Sequence, residues 1–274
     1  MKYSVYPIAF HSGMGMIRKG NSAHYERIEA MTLSLTQYPT NTTNDIVAFD
    51  VDKMSYMANA IRGMKWDALN KFTGGLSAPS KMPCYAYSIS AHRCNVGRKL
   101  RMVVGSTCEH CYALKGRYEF PNVKEAMERR YAAMMNDSMA WAAAMVASIN
   151  KTKYPHFRWH DSGDIQGMNH LAAINAIAHL TPTVQHWIPT REYGLIRQWQ
   201  RSGFAFARNL TVRVSLPMVG KLDGSAEWAN YSTVDAIPTD GTSVVCPSSQ
   251  QGNQCVDCRS CWDKDIECVS YVKH

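Results

Sequence analysis

Beyond Pro121 the apolar positions of the chain alternate between two periods. Val123, Ala126, Met127, Tyr131 and Met134 recur at helical spacing behind Asn122, a good helix cap, and a second helix follows Asp137. Further helical patterns run over residues 168–180 and 194–203. Short apolar runs at 156–160, 185–189, 210–216 and 242–246 suit buried strands. Strand and helix alternate, which predicts an α/β fold: a partial barrel or an open parallel sheet with covering helices, its cysteine-rich loops gathered at one end. Upstream the pattern is weaker. Residues 45–51 read as a strand and 54–66 as a helix, while 76–120 are rich in Gly, Pro, Ser and Cys and read as loops with short elements. The division expected is an N-terminal segment, 1–75, packed on a cysteine-rich domain, 76–274.

In such a fold the strand-to-helix loops meet at one end of the sheet, where ligands bind. The loop after 156–160 holds His160, Asp161, Ser162, Gly163 and Asp164, and the next holds Thr190, Arg191 and Glu192. His160, Asp161 and Asp164 are candidate acid-base groups. Arg191 and Glu192 are candidates for substrate binding, the planar fork of Arg191 suiting a carboxylate or phosphate. Asp161 and Asp164 have an alternative reading as turn residues that satisfy backbone amides.

Composition narrows the chemistry. The chain has 274 residues, 46% of them hydrophobic, enough for one substantial core. Lys and Arg outnumber Asp and Glu by 30 to 22, which favours anionic partners, and much of the excess lies between Arg93 and Arg130. The longest apolar stretch, 139–147, is far too short to span a bilayer. The N-terminus lacks the apolar core and cleavage site of a secretory signal, so a cytoplasmic location is expected. Nine cysteines in such a protein point to metal ligation rather than disulfides.

The cysteines form two groups. Cys255, Cys258 and Cys261, in CVDCRSC, offer three thiols from one short loop, and Cys246 at the end of a strand is placed to supply a fourth. Such spacing serves both zinc and iron–sulfur ligation, and a run of three is closer to the ferredoxin pattern, so a 4Fe-4S cluster is favoured with zinc as the alternative. Upstream, Cys108 and Cys111 form a CxxC to which Cys94 adds a third thiol. Three thiolates leave one iron of a cubane open, as a Lewis acid or docking point.

KMPCYAYSISAHRC, TCEHCYALKGRYEFPNV, FRWHDSGDI, IPTRE, CPSSQQGNQCVDCRSCW and the closing VSYVKH resemble a family of bacteriophage proteins named for gene product eighty-eight, from about Leu76 to His274. The resemblance implies phage origin, hence the bacterial host cytoplasm, and cysteine roles for Cys94, Cys108, Cys111, Cys246, Cys255, Cys258 and Cys261, with Cys84 and Cys268 outside the set. A more distant likeness is to radical S-adenosylmethionine enzymes. Cys108, Cys111, Tyr112 and Ala113 fit the second half of their CxxxCxxC loop, but thirteen residues separate Cys94 from Cys108, and no glycine-rich strand end is evident.

Three functions follow as expectations. The first is an iron–sulfur enzyme of hydrolase or lyase type acting on a small, anionic molecule through an open iron. The second is a radical S-adenosylmethionine-like enzyme. The third, not favoured, is a nucleic-acid-binding regulator with a structural cluster, for which no recognisable motif is present. Oligomeric state is not legible.

Overall fold

In the computed structural model, residues 49–239 and 241–273 are described. Seven parallel strands form one open sheet in the order β1-β2-β3-β4-β5-β7-β6. They are β1 (Tyr85–Tyr87), β2 (His156–Trp159), β3 (Gln185–Thr190), β4 (Leu210–Ser215), β5 (Tyr231–Val234), β6 (Ser243–Val245) and β7 (Cys268–Tyr271). The expected α/β fold is therefore present as an open parallel sheet. The strands at 156–160, 185–189, 210–216 and 242–246 all form; β1, β5 and β7 are additions.

Seven α-helices lie among the described residues: α1 (Val51–Ile61), α2 (Trp66–Thr73), α3 (Val96–Leu100), α4 (Pro121–Asn136), α5 (Ser138–Thr152), α6 (Met168–Leu180) and α7 (Tyr193–Arg201). The strand expected at 45–51 does not survive where it can be seen. Residues 45–48 lie outside the described residues, Asp50 caps α1 by accepting from the Lys53 amide at 2.9 Å, and Val51 is the first helical residue. Asn122 is not a cap either. Pro121 opens α4 at its first position, where the missing N–H costs nothing, and no side chain caps that end.

Helix α5 is the hub of the helical layer, with α1, α2, α4 and α6 all packed on it. Its residues from Ala140 to Ile149 are buried all round, as a helix enclosed by others requires. Asp137 caps it, accepting from the amides of Met139 and Ala140. Trp141 of α5 meets Tyr87 of β1 and Trp159 of β2, with ring centroids 5.5 and 6.2 Å apart. The Trp141 indole donates to the Tyr87 hydroxyl, whose hydrogen is directed between the carbonyls of Thr73 and Arg130.

Strand alternation assigns the other face. Phe157 and Trp159 face the helices, so His156 and Arg158 point away from them. That second face lies away from the helical layer around α5. The cysteine-rich segment 246–267 packs across part of it, led by Trp262, which donates to the Phe157 carbonyl at 2.9 Å and lies 5.2 Å from the rings of both Trp187 and His156. Arg213 of β4, with no exposed surface, holds this segment through four carbonyls, those of Ser260, Asp263, Ile266 and Glu267, and donates to a fifth, that of Tyr231 in β5. Among the described residues no helix is long and apolar enough to cross a membrane.

Candidate active site and its two thiol groups

A cavity of about 350 Å³ opens where the strands end. Cys94, Cys108, Cys111, His160, Asp161, Asp164 and Arg191 all border it, so residues far apart in sequence meet there as the α/β rule predicts. A volume in this range suits a small molecule.

Cys94 follows β1 through a one-turn 3₁₀ helix, Ala91–Arg93, which Ser90 caps by accepting from the His92 amide. Gly97 of α3 then passes beside the thiols. A Cβ built on Gly97 would stand 3.2 Å from Cys94 Cβ, 3.6 Å from Cys108 Sγ and 3.7 Å from Cys94 Sγ, so the missing side chain leaves the space between these two cysteines clear. The loop carrying Cys108 and Cys111 is tied to the segment just after β4 by the Thr107 amide, which donates to the Pro217 carbonyl at 2.8 Å. It is tied to the loop after β2 by the Tyr112 hydroxyl, which donates to the Asp161 carbonyl at 2.6 Å.

Glu192 does not border the cavity. Its buried carboxylate accepts from the amides of Asn95 and Val96 at 3.2 and 3.0 Å, so it holds the start of α3, and with it Cys94, instead of a substrate. A carboxylate at free N-terminal amides is a favourable placement, although burial raises its pKa. Glu192→Ala should therefore cost about 1–3 kcal/mol, the penalty for unpaired buried amides. It should also speed alkylation of Cys94 in metal-free protein. Thermal melts and timed iodoacetamide labelling check both, and an unchanged labelling rate would remove Glu192 from this role.

Asp164 is also a brace. One oxygen accepts from the Ile165 amide and the Thr190 hydroxyl at 2.8 and 2.7 Å, the other from the Arg191 amide at 2.8 Å. Both oxygens are engaged in fixing the end of β3, the arrangement that the turn-residue alternative describes. Gly163 allows the loop to turn there. It sits at φ 83°, and a Cβ would strike Ile89 Cγ1 at 2.3 Å.

His160 and Asp161 keep free groups. Neither ring nitrogen of buried His160 has a hydrogen-bond partner, and its backbone lies at φ 53°, a strained region for a non-glycine residue. Burial, then the neighbouring His170 and Arg158, hold its pKa well below the usual histidine value, so the ring is neutral. Asp161 Oδ2 accepts from the Tyr118 hydroxyl at 3.2 Å, while Oδ1 is buried without a partner. Arg191 is anchored by Nε donating to Thr107 Oγ1 at 3.0 Å, which leaves the rest of its guanidinium toward the cavity.

Cys246, Cys255, Cys258 and Cys261 make a separate group on the same face of the sheet. The Cys255 amide donates to the Lys81 carbonyl, the Cys258 amide closes a turn on Cys255, and the Cys246 amide donates to Ser270 of β7. Cys261 Sγ lies 3.2 Å from the hydroxyl of Tyr271, a residue that also borders the cavity, so this group reaches the site through one side chain. Cys84 is not remote from it: with Trp187 and Trp262 it forms a small apolar cluster against which Cys261 packs. Cys268 is fully buried in β7 beside Thr233. Burial pushes the Cys84 and Cys261 thiols up to about 12 and raises Cys94, Cys108 and Cys255 as well. These thiols stay protonated at neutral pH unless a positive centre draws the proton away. Among the described residues, no three His, Cys, Asp or Glu side chains converge as they would around a single metal ion.

Sequence reading passed over Arg158, Tyr271 and Lys273, which also border the cavity. Arg158 carried a signal, because the alternation of FRWH places a charge on the face opposite Phe157 and Trp159. Searches of curated proteins and of solved structures gave no match. The family described as Gene product 88 matches residues 52–264, which begins ahead of Leu76 and takes in α1 from its second residue and all of α2. With most of its length inside that match, the chain belongs to the gene product 88 family of phage proteins.

Proposed function

We propose that this protein is an iron–sulfur enzyme acting on a small anionic molecule, with Cys94, Cys108 and Cys111 holding one cluster at the cavity and Cys246, Cys255, Cys258 and Cys261 holding a second beneath it. The observation that carries the reading is the meeting of three thiol residues with Arg191, His160 and Asp161 on one cavity. The clear space beside Gly97, together with an all-thiol donor set, fits a cluster better than a lone oxygen-preferring ion. Bound by three thiolates, such a cluster supplies one iron with an open position, a Lewis acid for a substrate oxygen. The protein's own groups do the rest. Arg191 holds an anionic group through its free N–H donors. His160, neutral and unpartnered, borders the cavity as the candidate proton acceptor, and Asp161 beside it is placed to orient a hydroxyl or a water. Hydrolysis or elimination is the reaction class these groups serve.

Purification without oxygen should yield protein with iron and acid-labile sulfide, and Cys111→Ser and Cys258→Ser should each lose part of the iron, leaving different paramagnetic resonance spectra. Zinc without sulfide would overturn the reading. A radical S-adenosylmethionine mechanism is the second reading, favoured by sequential parallel strands whose three-cysteine segment follows the first. It requires cleavage of that cofactor only after reduction, which the same preparation can test.

A further inference from the structure

Arg158 is a half-buried cation that no carboxylate among the described residues neutralises at close range. It lies on β2 opposite Trp187 of β3, and its guanidinium stacks over the Trp187 ring, 4.6 Å from the centroid. Its Nε is buried with no hydrogen-bond partner, and its Nη1 donates to the Met82 sulfur at 3.0 Å, a weak acceptor. Among the described residues no carboxylate pairs with it within salt-bridge distance, although Asp161 is near enough to feel its charge. A guanidinium drawn partly out of water and left unpaired is costly, and an anionic ligand would relieve that cost. The Trp187 ring holds the guanidinium by a cation–π contact, and its planar fork suits bidentate recognition of a carboxylate or phosphoryl group.

The placement fits an anion. Arg101, Arg158, Arg191 and Lys273 border the cavity against two carboxylates, Asp161 and Asp164, and Asp164 already has both oxygens engaged. Arg158 and Arg191 do not sit at one point. Arg158 is in register with Trp187, and Arg191 lies four residues further along the chain from Trp187, about 13 Å at strand rise. Both side chains border the same cavity, so they approach it from different depths: Arg191 beside Cys108 and Thr107, Arg158 beside Tyr271 and Trp187.

We propose that the cavity takes a small molecule with two anionic groups, carboxylate or phosphoryl, held at its outer end by Arg191 and at its inner end by Arg158. This rests on the cavity being the substrate site, but not on which metal the thiols hold.

Calorimetric titration of the protein as purified compares succinate, glutarate and adipate, each against the monocarboxylate of the same carbon count, with 3-phosphonopropionate as the phosphoryl arm. The expected result is a best-fitting dianion that binds about tenfold or more tightly than its monoanion, the worth of one further charge-assisted anchor. Arg158→Gln and Arg191→Gln should each bring the dianion close to the monoanion, and Arg158→Lys, which keeps the charge but not the fork, should fall between. A preference for the phosphonate over all diacids identifies the phosphoryl source. Equal binding of dianion and monoanion by the unaltered protein, or a dianion preference that survives in both Arg158 variants, overturns the proposal. Dianion preference in protein lacking iron would leave this inference standing while the iron–sulfur reading fell, and iron-loaded protein without the preference would do the reverse.

Discussion

Arg213→Met should free the C-terminal cysteine-rich segment from the sheet and lower stability by about 3–5 kcal/mol. Five carbonyls receive hydrogen bonds from this one guanidinium, at 2.9 to 3.2 Å, and four of them belong to residues 260–267. Methionine fills much of the same space but donates nothing, so each carbonyl left buried costs about 1 kcal/mol or more. Relief from burying a charge offsets only part of the loss, since breaking such a network by removing one partner commonly costs about 3–5 kcal/mol. For a domain of this size that is a fall in melting temperature of about 10 °C. Limited proteolysis should cut first within residues 246–267, and alkylation of Cys255 and Cys258 should accelerate in metal-free protein. A variant that melts with the unaltered protein would show that Trp262 and β7 hold the segment without Arg213.

Acid should destabilise the fold well before its carboxylates titrate. Burial lowers His170 and His186 to about 3 and holds His160 well below its ordinary value. A histidine kept neutral in the native state but free to charge in the unfolded one makes the unfolded state bind more protons below pH 6.5. Stability then falls as pH falls, with the loss running from about pH 6.5 down to the native pKa values. Between pH 7 and pH 5 each such group costs about 2 kcal/mol, so His170 and His186 together remove about 4 kcal/mol and His160 adds in the same direction. Asp164 and Glu192, raised by burial, oppose this: their penalty is relieved as acid neutralises them. Urea melts at pH 7, 6 and 5 measure the sum. The slope should shrink in His186→Asn, a ring now wedged between Thr181 and Trp159 with a hydrogen bond to each. Stability constant across that range would mean that these histidines titrate alike in the native and unfolded states.

The two predictions differ in how far sequence could have anticipated them. Buried strands such as 185–189 were legible because an apolar run between turns has few other uses. YAY, YSTV and CVSY were not, because three or four residues amid polar loops carry no period and their pairing with neighbours decides their conformation. The convergence of His160, Asp161 and Arg191 with the first cysteine group followed from topology alone. What Asp164 and Glu192 do there did not, because it depends on which backbone amides the folded chain turns toward them. Arg213 sat in a strand-like LTVRVS, where its charge reads as a solvated residue until the carbonyls of a distant loop are seen around it.

The position of β7 sets an order of assembly. It is the last of the seven strands in sequence, yet it lies between β5 and β6, and among the described residues β6 pairs with no other strand. As a chain emerges from the ribosome, β1 to β5 have their partners while β6 has none. The crossover between β6 and β7, residues 246–267, carries all four thiols of the second group. Cys246, whose amide donates to Ser270 of β7, has no such tie until β7 enters its slot, whereas Cys94, Cys108 and Cys111 lie in loops tied to strands already paired. The nascent protein thus offers its two thiol groups in sequence, the cavity set first, with the late set gathered by the strand that completes the sheet.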